Sequence, residues 1–315
     1  MKRSPSWATL LGRQARLWQQ AARPLRERRE APPGDGNWLM GSVLSARGPR
    51  RYWLFRPAGV RFGEKLPLLV MLHGCHQDPK GFAASTRMNQ LAARERFLVL
   101  YPEQPRLANT QGCWNWFETR SSVATDEADW ILRAMDQVGM LYAADLARTA
   151  VAGLSAGASM AALLATRHPS RFKAVVMHSG VPPGAAHSAA SAVGAMRGRH
   201  VPVDVTHATN WPPLLVIHGD ADGVVSARNA DAAVQLWAQA AGAVAGDTRE
   251  SQRGRRYPVR VTQFKRTRRL VATLVQVDGL GHAWSGGAAR QRFSDAGGPD
   301  ASRLVWRFVE KQFSP

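Results

Sequence analysis

Ser155 lies between two glycines, Gly153 and Gly157, in the segment "VAGLSAGASM". The preceding run "TAVAG" has the composition of a buried strand, and "SAGASMAALLATRH" is typical of a helix. A serine at such a strand-to-helix turn presents its hydroxyl at the edge of a sheet, and small neighbours let strand and helix approach. Glycine and serine also fill incidental turns, but the flanking strand and helix favour a nucleophilic serine.

A serine hydroxyl needs an oriented base, and in this arrangement an acid and then a histidine follow it in the chain. The histidine candidate is His282 in "GLGHAWSGG", directly after the apolar run "LVATLVQV". The acid candidates are Asp220 and Asp222 in "LLVIHGDADGVV". We favour Asp222, because Asp220 directly follows Gly219 at the strand end, where it would cap the turn.

The other histidines that follow or leave predicted elements have simpler interpretations. His168 precedes Pro169 and is expected to end a helix, while His178 and His218 leave buried strands and are expected to be structural. The segment around His200 and His207 shows no clear pattern. His282 is therefore the predicted base.

Acyl transfer also needs hydrogen-bond donors for the oxyanion of the tetrahedral intermediate. One predicted donor is the backbone N–H of Ala156, which directly follows the serine at a helix N-terminus. The second predicted donor is the N–H of Cys75 in "LLVMLHGCHQ", where Gly74 permits a tight turn. The alternative, that "HGC" only ends a strand, stays open.

Apolar runs of strand length alternate with helix-like segments after the linker "EAPPGDGN". Continuous Val, Leu and Ile runs are typical of strands buried on both faces. The pattern predicts an α/β fold, with a mainly parallel central sheet and helices on both faces. We expect residues 1–36 to form a basic amphipathic arm and linker, and residues 37–315 to form one catalytic domain.

The chain has 315 residues and a formal net charge of +19 at pH 7, with much of the excess in the arm and in residues 249–269. It carries no recognisable nucleic-acid-binding motif, so nucleic acid is not an expected partner. We interpret the basic segments as solvated faces; the alternative is contact with an anionic surface, a granule or membrane, through the arm. No metal-binding or nucleotide-binding motif is present, so neither a metal nor a cofactor is expected.

Several composite stretches resemble the esterases of the polyhydroxybutyrate (PHB) depolymerase family. They are "LLVMLHGCHQDPKGFAASTRMNQLA", "GCWNWF", "VAGLSAGASMAALLA", "MHSGVPPGAAHSAASAVGAMRG", "VIHGDADGVV" and "GHAWSGG". The resemblance implies an α/β-hydrolase fold and carboxylic-ester hydrolysis by the triad Ser155, Asp222 and His282. It further implies short-chain or 3-hydroxyalkanoate ester substrates. The chain departs from the family pattern at Ala158, where a glycine is common, and at "TDEAD", where a Gly-Glu pair is usual.

Two groups of residues near the predicted site, three tryptophans and two cysteines, have an undecided role. Loop aromatics could form an apolar wall for the acyl chain or could pack in the core; those assigned to the wall are Trp114, Trp116 and Trp284. Cys75 and Cys113 flank the site, and a disulfide between them would pin both loops and imply an oxidising compartment. The family resemblance also points to an extracellular or periplasmic location. No cleavable signal peptide is visible, so a cytoplasmic location stays open.

Other functions are compatible with this set of serine, acid and histidine motifs. A feruloyl or acetyl-xylan esterase would use the same serine machinery with a differently shaped pocket. A basic surface-binding protein built on an inactive hydrolase scaffold is the alternative that is not an enzyme. The intact order of serine, acid and histidine argues against it.

Overall fold

The computed structural model describes residues 31–200, 202 and 210–313. Most of the expected arm, and the candidate His207, lie outside the described residues. Pro33–Pro315 form one compact unit. Across the described ranges, no helix combines the length and apolar character needed to cross a bilayer.

In the described part of the chain, eleven strands form the main sheet and two more form a separate short pair. The main-sheet strands are β1 (Gly36–Ser45), β2 (Gly48–Pro57), β3 (Leu66–Leu72), β4 (Leu98–Pro102), β5 (Ala144–Leu154), β6 (Ala174–His178), β7 (Leu214–Gly219), β8 (Val244–Ala245), β9 (Arg249–Ser251), β10 (Val259–Arg266) and β11 (Arg269–Val277). The pair is β12 (Trp284–Ser285) and β13 (Ser294–Asp295).

The strand order is β1-β2-β4-β3-β5-β6-β7-β11-β10-β8, with β9 also paired to β10. Neighbouring strands from β4 to β11 in this order run parallel, whereas β1, β2, β8, β9 and β10 join the sheet through antiparallel pairs. Loops that follow β3, β5, β6, β7 and β11 therefore meet at one edge of the sheet. This is the edge where the α/β folds place their ligands.

The helices in the described part of the chain are α1 (Pro79–Thr86), α2 (Met88–Glu95), α3 (Val123–Tyr142), α4 (Ala156–Arg167), α5 (Ala189–Met196), α6 (Arg228–Ala241) and α7 (Ala301–Phe313). Side chains of α3, α4, α5 and α6 pack against one face of the sheet, and those of α1, α2 and α7 pack against the other. The alternation of β3 shows the same division: Leu68 and Val70 belong to the first core and Leu69 to the second. Both faces are covered, which explains the continuous apolar runs of the central strands.

Several elements differ from what the patterns predict. The segment "AASTRMNQLAARE" is typical of one helix, but the structure divides it into α1 and α2 at Arg87, whose φ is 58°. The basic segment of residues 249–269 contains β9 and β10, which pair with each other and extend the sheet. The sequence patterns do not predict the edge strand β1 or the helix α7.

Candidate active site

Ser155 lies between β5 and α4 with a backbone φ of 56° and ψ of −122°. This region is sparsely populated by residues with a side chain, and it persists only where the surroundings hold it. The two glycines make the turn sterically feasible. A Cβ on Gly153 would lie 2.3 Å from the backbone of Gly157, and a Cβ on Gly157 would lie 2.1 Å from the carbonyl oxygen of Leu72. The helix thus packs directly on the strands, and the serine is fixed at the sheet edge.

The two proposed oxyanion donors flank this serine. Ala156 is the first residue of α4, and Cys75 lies in the turn after β3. Within the described residues, neither backbone N–H is used in a turn, loop or cap hydrogen bond. A Cβ on Gly74 would lie 3.5 Å from the Ser155 Cβ, so the turn that carries Cys75 borders the serine. Two free N–H groups near a serine suit an oxyanion.

Asp222 and His282 form a hydrogen-bonded pair at the same edge of the sheet. His282 Nδ1 donates to Asp222 Oδ2 at 2.8 Å. The other carboxylate oxygen, Oδ1, accepts the backbone N–H groups of Val224 and Val225, each at 2.9 Å. The carboxylate is therefore held in one orientation, and Nε2 is the His282 ring nitrogen that this hydrogen bond leaves unused.

A second imidazole contributes to the environment of Asp222. His218 Nε2 lies 2.9 Å from the Val225 carbonyl oxygen and 3.4 Å from Asp222 Oδ2. Burial alone would raise the pKa of Asp222, but hydrogen bonds from His218 and His282, with the His282 charge, outweigh it. The pKa of Asp222 is consequently held far below its ordinary value. The acid is ionised at neutral pH and can orient and stabilise a protonated imidazole.

Asp220 has different partners from Asp222. Its Oδ1 accepts the backbone N–H of Gly279 at 2.7 Å, three residues before His282. A Cβ on Gly219 would lie 2.0 Å from the Leu280 carbonyl oxygen, so this glycine is needed for the close approach of the two loops. Asp220 thus binds the turn that leads to His282 and makes no hydrogen bond to the imidazole.

His178 joins the serine turn to the histidine loop. Its carbonyl oxygen accepts the Ser155 N–H at 2.9 Å, and its ring Nε2 accepts the Ser285 N–H at 3.1 Å. The ring stacks on Trp284 at 5.0 Å between centroids, and its Nδ1 lies 3.1 Å from Ser179 Oγ. Burial, and then the neighbouring His218 and His282, lower the pKa of His178 to about 3. A neutral, structural histidine therefore links both halves of the site.

The turn that carries Cys75 is attached to the loop after β4. His73 Nε2 accepts the Gln104 N–H at 3.2 Å, and the His73 carbonyl oxygen accepts Trp114 Nε1 at 3.0 Å. Burial lowers the pKa of His73, which is neutral. A disulfide joins Cys75 to Cys113, with 4.3 Å between the two Cα atoms. The second predicted donor is thus on a turn with covalent and hydrogen-bonded support.

Glu127 anchors the same loop from α3. Its carboxylate accepts Asn115 N at 2.8 Å, Asn115 Nδ2 at 2.6 Å and Gln104 Nε2 at 2.5 Å. Burial is the main influence and raises the pKa of Glu127, although these donors oppose it. Glu127 lies in "TDEAD", where the chain departs from the family pattern, and sequence reasoning gave it no role. The signal that could have indicated it is a carboxylate on the apolar face of α3.

The prediction that three tryptophans form an exposed acyl-binding wall is wrong. Trp114 and Trp284 have no exposed surface, and Trp116 is 7% exposed. Trp114 stacks on Trp130 of α3, and Trp284 Nε1 donates to Ser302 Oγ at 3.1 Å. These rings fill the two cores beneath the loops, so the alternative of core packing is the one that the structure supports.

Comparison with known proteins gives the family and relatives of the chain. The model of the family described as "Esterase PHB depolymerase" matches residues 50–255, more than half of the chain. Poly(3-hydroxyalkanoate) depolymerase C of Paucimonas lemoignei is 30% identical over 203 residues, 59% of this chain and 48% of that protein. Feruloyl esterase B of Neurospora crassa is 26% identical over 216 residues, 60% of this chain and 73% of that protein. The match thus spans about half the length of the depolymerase.

Solved structures with the same fold include esterases. An acetyl xylan esterase from Aspergillus awamori has a TM-score of 0.64 at 18% identity, covering 78% of this chain and 94% of that chain. A ferulic acid esterase has a TM-score of 0.57 at 16% identity, covering 90% of this chain and 100% of that chain. At these identities the likeness shows the fold, which is the α/β-hydrolase fold that the family resemblance implies.

Proposed function

Since the chain belongs to the PHB depolymerase family of esterases, we propose that it is a carboxylic ester hydrolase and that Ser155 is its nucleophile. His282 is the general base and Asp222 is the acid that orients it. The substrates we propose are short-chain esters and soluble 3-hydroxyalkanoate oligomers. The enzyme acts through an acyl-enzyme on Ser155.

In the first half of the reaction, Ser155 Oγ attacks the ester carbonyl carbon while His282 Nε2 takes the hydroxyl proton. The carbonyl π electrons move to oxygen, and the backbone N–H groups of Cys75 and Ala156 donate to this oxyanion. Ionised Asp222 stabilises the imidazolium through its hydrogen bond to Nδ1. The C–O bond to the alcohol then breaks, and His282 returns the proton to the leaving oxygen.

In the second half, water replaces the alcohol. His282 removes a proton from water, and the resulting hydroxide attacks the acyl carbon of the Ser155 ester. The second oxyanion is bound by the same two N–H groups. When it collapses, the Ser155 oxygen leaves with the proton from His282, and a carboxylic acid is released.

The observation that carries this proposal is the 2.8 Å hydrogen bond between Asp222 and His282 at the sheet edge where Ser155 has its strained turn. Strain at a non-glycine residue in a sheet-edge turn is a common property of functional sites. The order of the three residues in the chain is the order that this fold uses. These features come from different parts of the sequence, and all of them support ester hydrolysis by a serine nucleophile.

The choice of substrate depends on the family resemblance and on the depolymerase relative. A feruloyl or acetyl-xylan esterase is the second candidate, because a feruloyl esterase is among the relatives over 60% of this chain. The same nucleophile serves all of these esters, so the acyl pocket decides between them. A comparison of rates on several esters therefore separates the candidates.

The experiment is a panel of initial rates on p-nitrophenyl esters of increasing acyl length, 3-hydroxybutyrate oligomers, methyl ferulate and acetylated xylan. We expect the highest kcat/KM on the acetate or butyrate ester, with turnover of the oligomers. Faster turnover of methyl ferulate or acetylated xylan than of the oligomers would instead favour the second candidate.

We assign this activity to the domain of residues 37–315. A chain that begins at Pro33 should therefore give the same rates as the full chain. A large loss of activity in the shortened chain would contradict that assignment.

A further inference from the structure

A cleft of about 660 Å³ lies between α7 and the β9–β10 edge of the sheet. Its lining comes from residues 299–307, from the basic segment of residues 249–269, and from Arg87 and Val275. Ser155, Asp222 and His282 are not among its lining residues. The volume lies within the range of small-molecule sites in proteins. The cleft is thus a separate cavity from the proposed active site.

Arginines line the rim of this cleft from three parts of the chain. They are Arg87, Arg253, Arg256, Arg303 and Arg307. Asp300 is the one acidic residue among the lining residues, and it lies 3.5 Å from Arg303 Nε. The rim therefore has a strong excess of positive charge.

The arginines differ in how they are held. The Arg256 guanidinium donates to the Gly298 carbonyl oxygen at 2.6 Å, and that of Arg87 donates to the Gly286 carbonyl oxygen. Within the described residues, the side chains of Arg253 and Arg307 form no hydrogen bond or ion pair. Two guanidinium groups are thus oriented in advance and two have all of their donors unused. An anion in the cleft would satisfy them.

The floor of the cleft is apolar. Val259 and Val261 lie two residues apart on β10 and share one face, and Val275 of β11 pairs with Val261. Leu304 of α7 completes the lining from the helix side. Val275 is buried, whereas the other three are half-buried, so part of this apolar surface is open to a ligand. Free phosphate or another small inorganic ion would leave that surface unused.

We propose that this cleft binds an amphiphilic carboxylate, an acid whose carboxylate pairs with the arginine rim and whose aliphatic chain lies on the valine floor. The charge excess selects an anion, and bidentate guanidinium pairing suits a carboxylate. The apolar floor selects a ligand with an aliphatic body. Ester hydrolysis releases carboxylic acids, so the ligand is of the chemical class that this enzyme produces.

Titration calorimetry with octanoate tests the proposal on the full chain. We expect saturable binding that is at least tenfold weaker in the double variant Arg303→Gln/Arg307→Gln. The matched control is Arg266→Gln/Arg268→Gln, which removes the same charge from exposed positions outside the cleft and should leave the octanoate affinity unchanged. Acetate lacks the long aliphatic chain of octanoate, and 1-octanol lacks its carboxylate. Each should bind at least tenfold more weakly than octanoate.

Several results would overturn the proposal. They are no saturable octanoate binding, equal affinity in the cleft variant and the control, or binding of acetate as tight as octanoate. A decathymidylate oligonucleotide could instead bind more tightly than octanoate, in a way that depends on Arg303 and Arg307. That result would assign the cleft to nucleic acid. The measurement needs no turnover, so its outcome is independent of whether Ser155 is the nucleophile.

Discussion

Asp222 and Asp220 are two residues apart, yet their surroundings give them different partners. Asp222 accepts a hydrogen bond from the His282 imidazole, whereas Asp220 accepts the Gly279 N–H. In Asp222→Asn the amide cannot stabilise a protonated imidazole. We expect kcat to fall by about 10³–10⁴-fold, the scale seen when a triad acid is replaced by its amide. Asp220→Asn retains an oxygen that can accept the Gly279 N–H, and its loss should be much smaller.

The measurement is kcat on p-nitrophenyl butyrate for both variants, with thermal unfolding to verify that each is folded. A larger loss of kcat in Asp220→Asn than in Asp222→Asn would show that the acid has been assigned to the wrong residue. Equal, small losses would exclude both carboxylates from the chemistry.

His178 makes stability depend on pH. Its folded-state pKa of about 3 is below the ordinary value of 6.5, so below pH 6.5 the unfolded chain binds a proton that the folded chain does not. Stability therefore falls as the pH falls from 6.5 toward 3, and at pH 5 this residue costs about 2 kcal/mol. In His178→Phe this dependence should disappear. The variant should also lose about 1–3 kcal/mol at pH 7, because the Ser285 N–H loses its acceptor.

Urea unfolding of the parent and of His178→Phe at pH 7 and pH 5 measures both effects. The free energy of unfolding should decrease less between these pH values in the variant. His200→Phe changes an exposed histidine and serves as the control, since it should keep the parent's pH dependence. An unchanged pH dependence in His178→Phe would contradict the neutral, buried state of this imidazole.

Residue types and chain order predict Ser155 and its partners, but not the burial of loop aromatics. Trp114 follows a cysteine in a loop, which is compatible with an exposed wall or with packing. Its burial depends on Trp130, which α3 brings beneath the loop. The role of Glu127 depends in the same way on two loop residues, Gln104 and Asn115, that are distant in sequence. Such tertiary contacts leave no local pattern in the sequence.

At the scale of the structural elements, the disulfide between Cys75 and Cys113 joins two loops. The two cysteines are separated by 38 residues. Closing a loop of this length in the unfolded chain corresponds to about 4 kcal/mol of stability on the chain-entropy account. We therefore expect Cys75→Ser/Cys113→Ser to lower the free energy of unfolding by up to that amount. We also expect kcat to fall and KM to rise, because the turn that carries the Cys75 N–H loses its covalent support.

Urea unfolding of the double variant, and thiol titration of the unfolded parent without reductant, examine this bond. The parent should show no free thiol. Two titratable thiols in the parent, together with unchanged stability in the double variant, would be incompatible with the bond.

The central elements are predictable because their strands are continuous apolar runs, as in β3 and β7. The elements at the edges are not. Strand β10 has three basic residues among its eight and only one buried residue, so its basic composition dominates the pattern. The break between α1 and α2 falls at Arg87, which has a positive φ without being a glycine. Its side chain donates to the Gly286 carbonyl oxygen, a contact across 199 residues that no local signal indicates.

At the scale of the whole molecule, the parallel sheet brings together residues that are far apart in the chain. Ser155 follows β5, Asp222 follows β7 and His282 follows β11, and these strands have their carboxyl ends at one edge. His178 is the last residue of β6, which lies between β5 and β7, and it joins the serine turn to the histidine loop. The fold class alone therefore predicts that the three residues meet. The cleft on the β9–β10 edge is lined by other residues than these three.

The measurement that tests the central claim most directly is covalent labelling with a serine-directed alkyl phosphonate, followed by mass spectrometry of the peptides. We predict one phosphonyl adduct, on Ser155, that forms in proportion to the loss of p-nitrophenyl butyrate hydrolysis. Ser155→Ala should remain folded, take up no label and lose at least about 10³-fold in kcat, whereas the exposed-site control Ser121→Ala should behave as the parent. Full hydrolysis by folded Ser155→Ala, or inactivation of the parent with the label on another residue, would contradict the account.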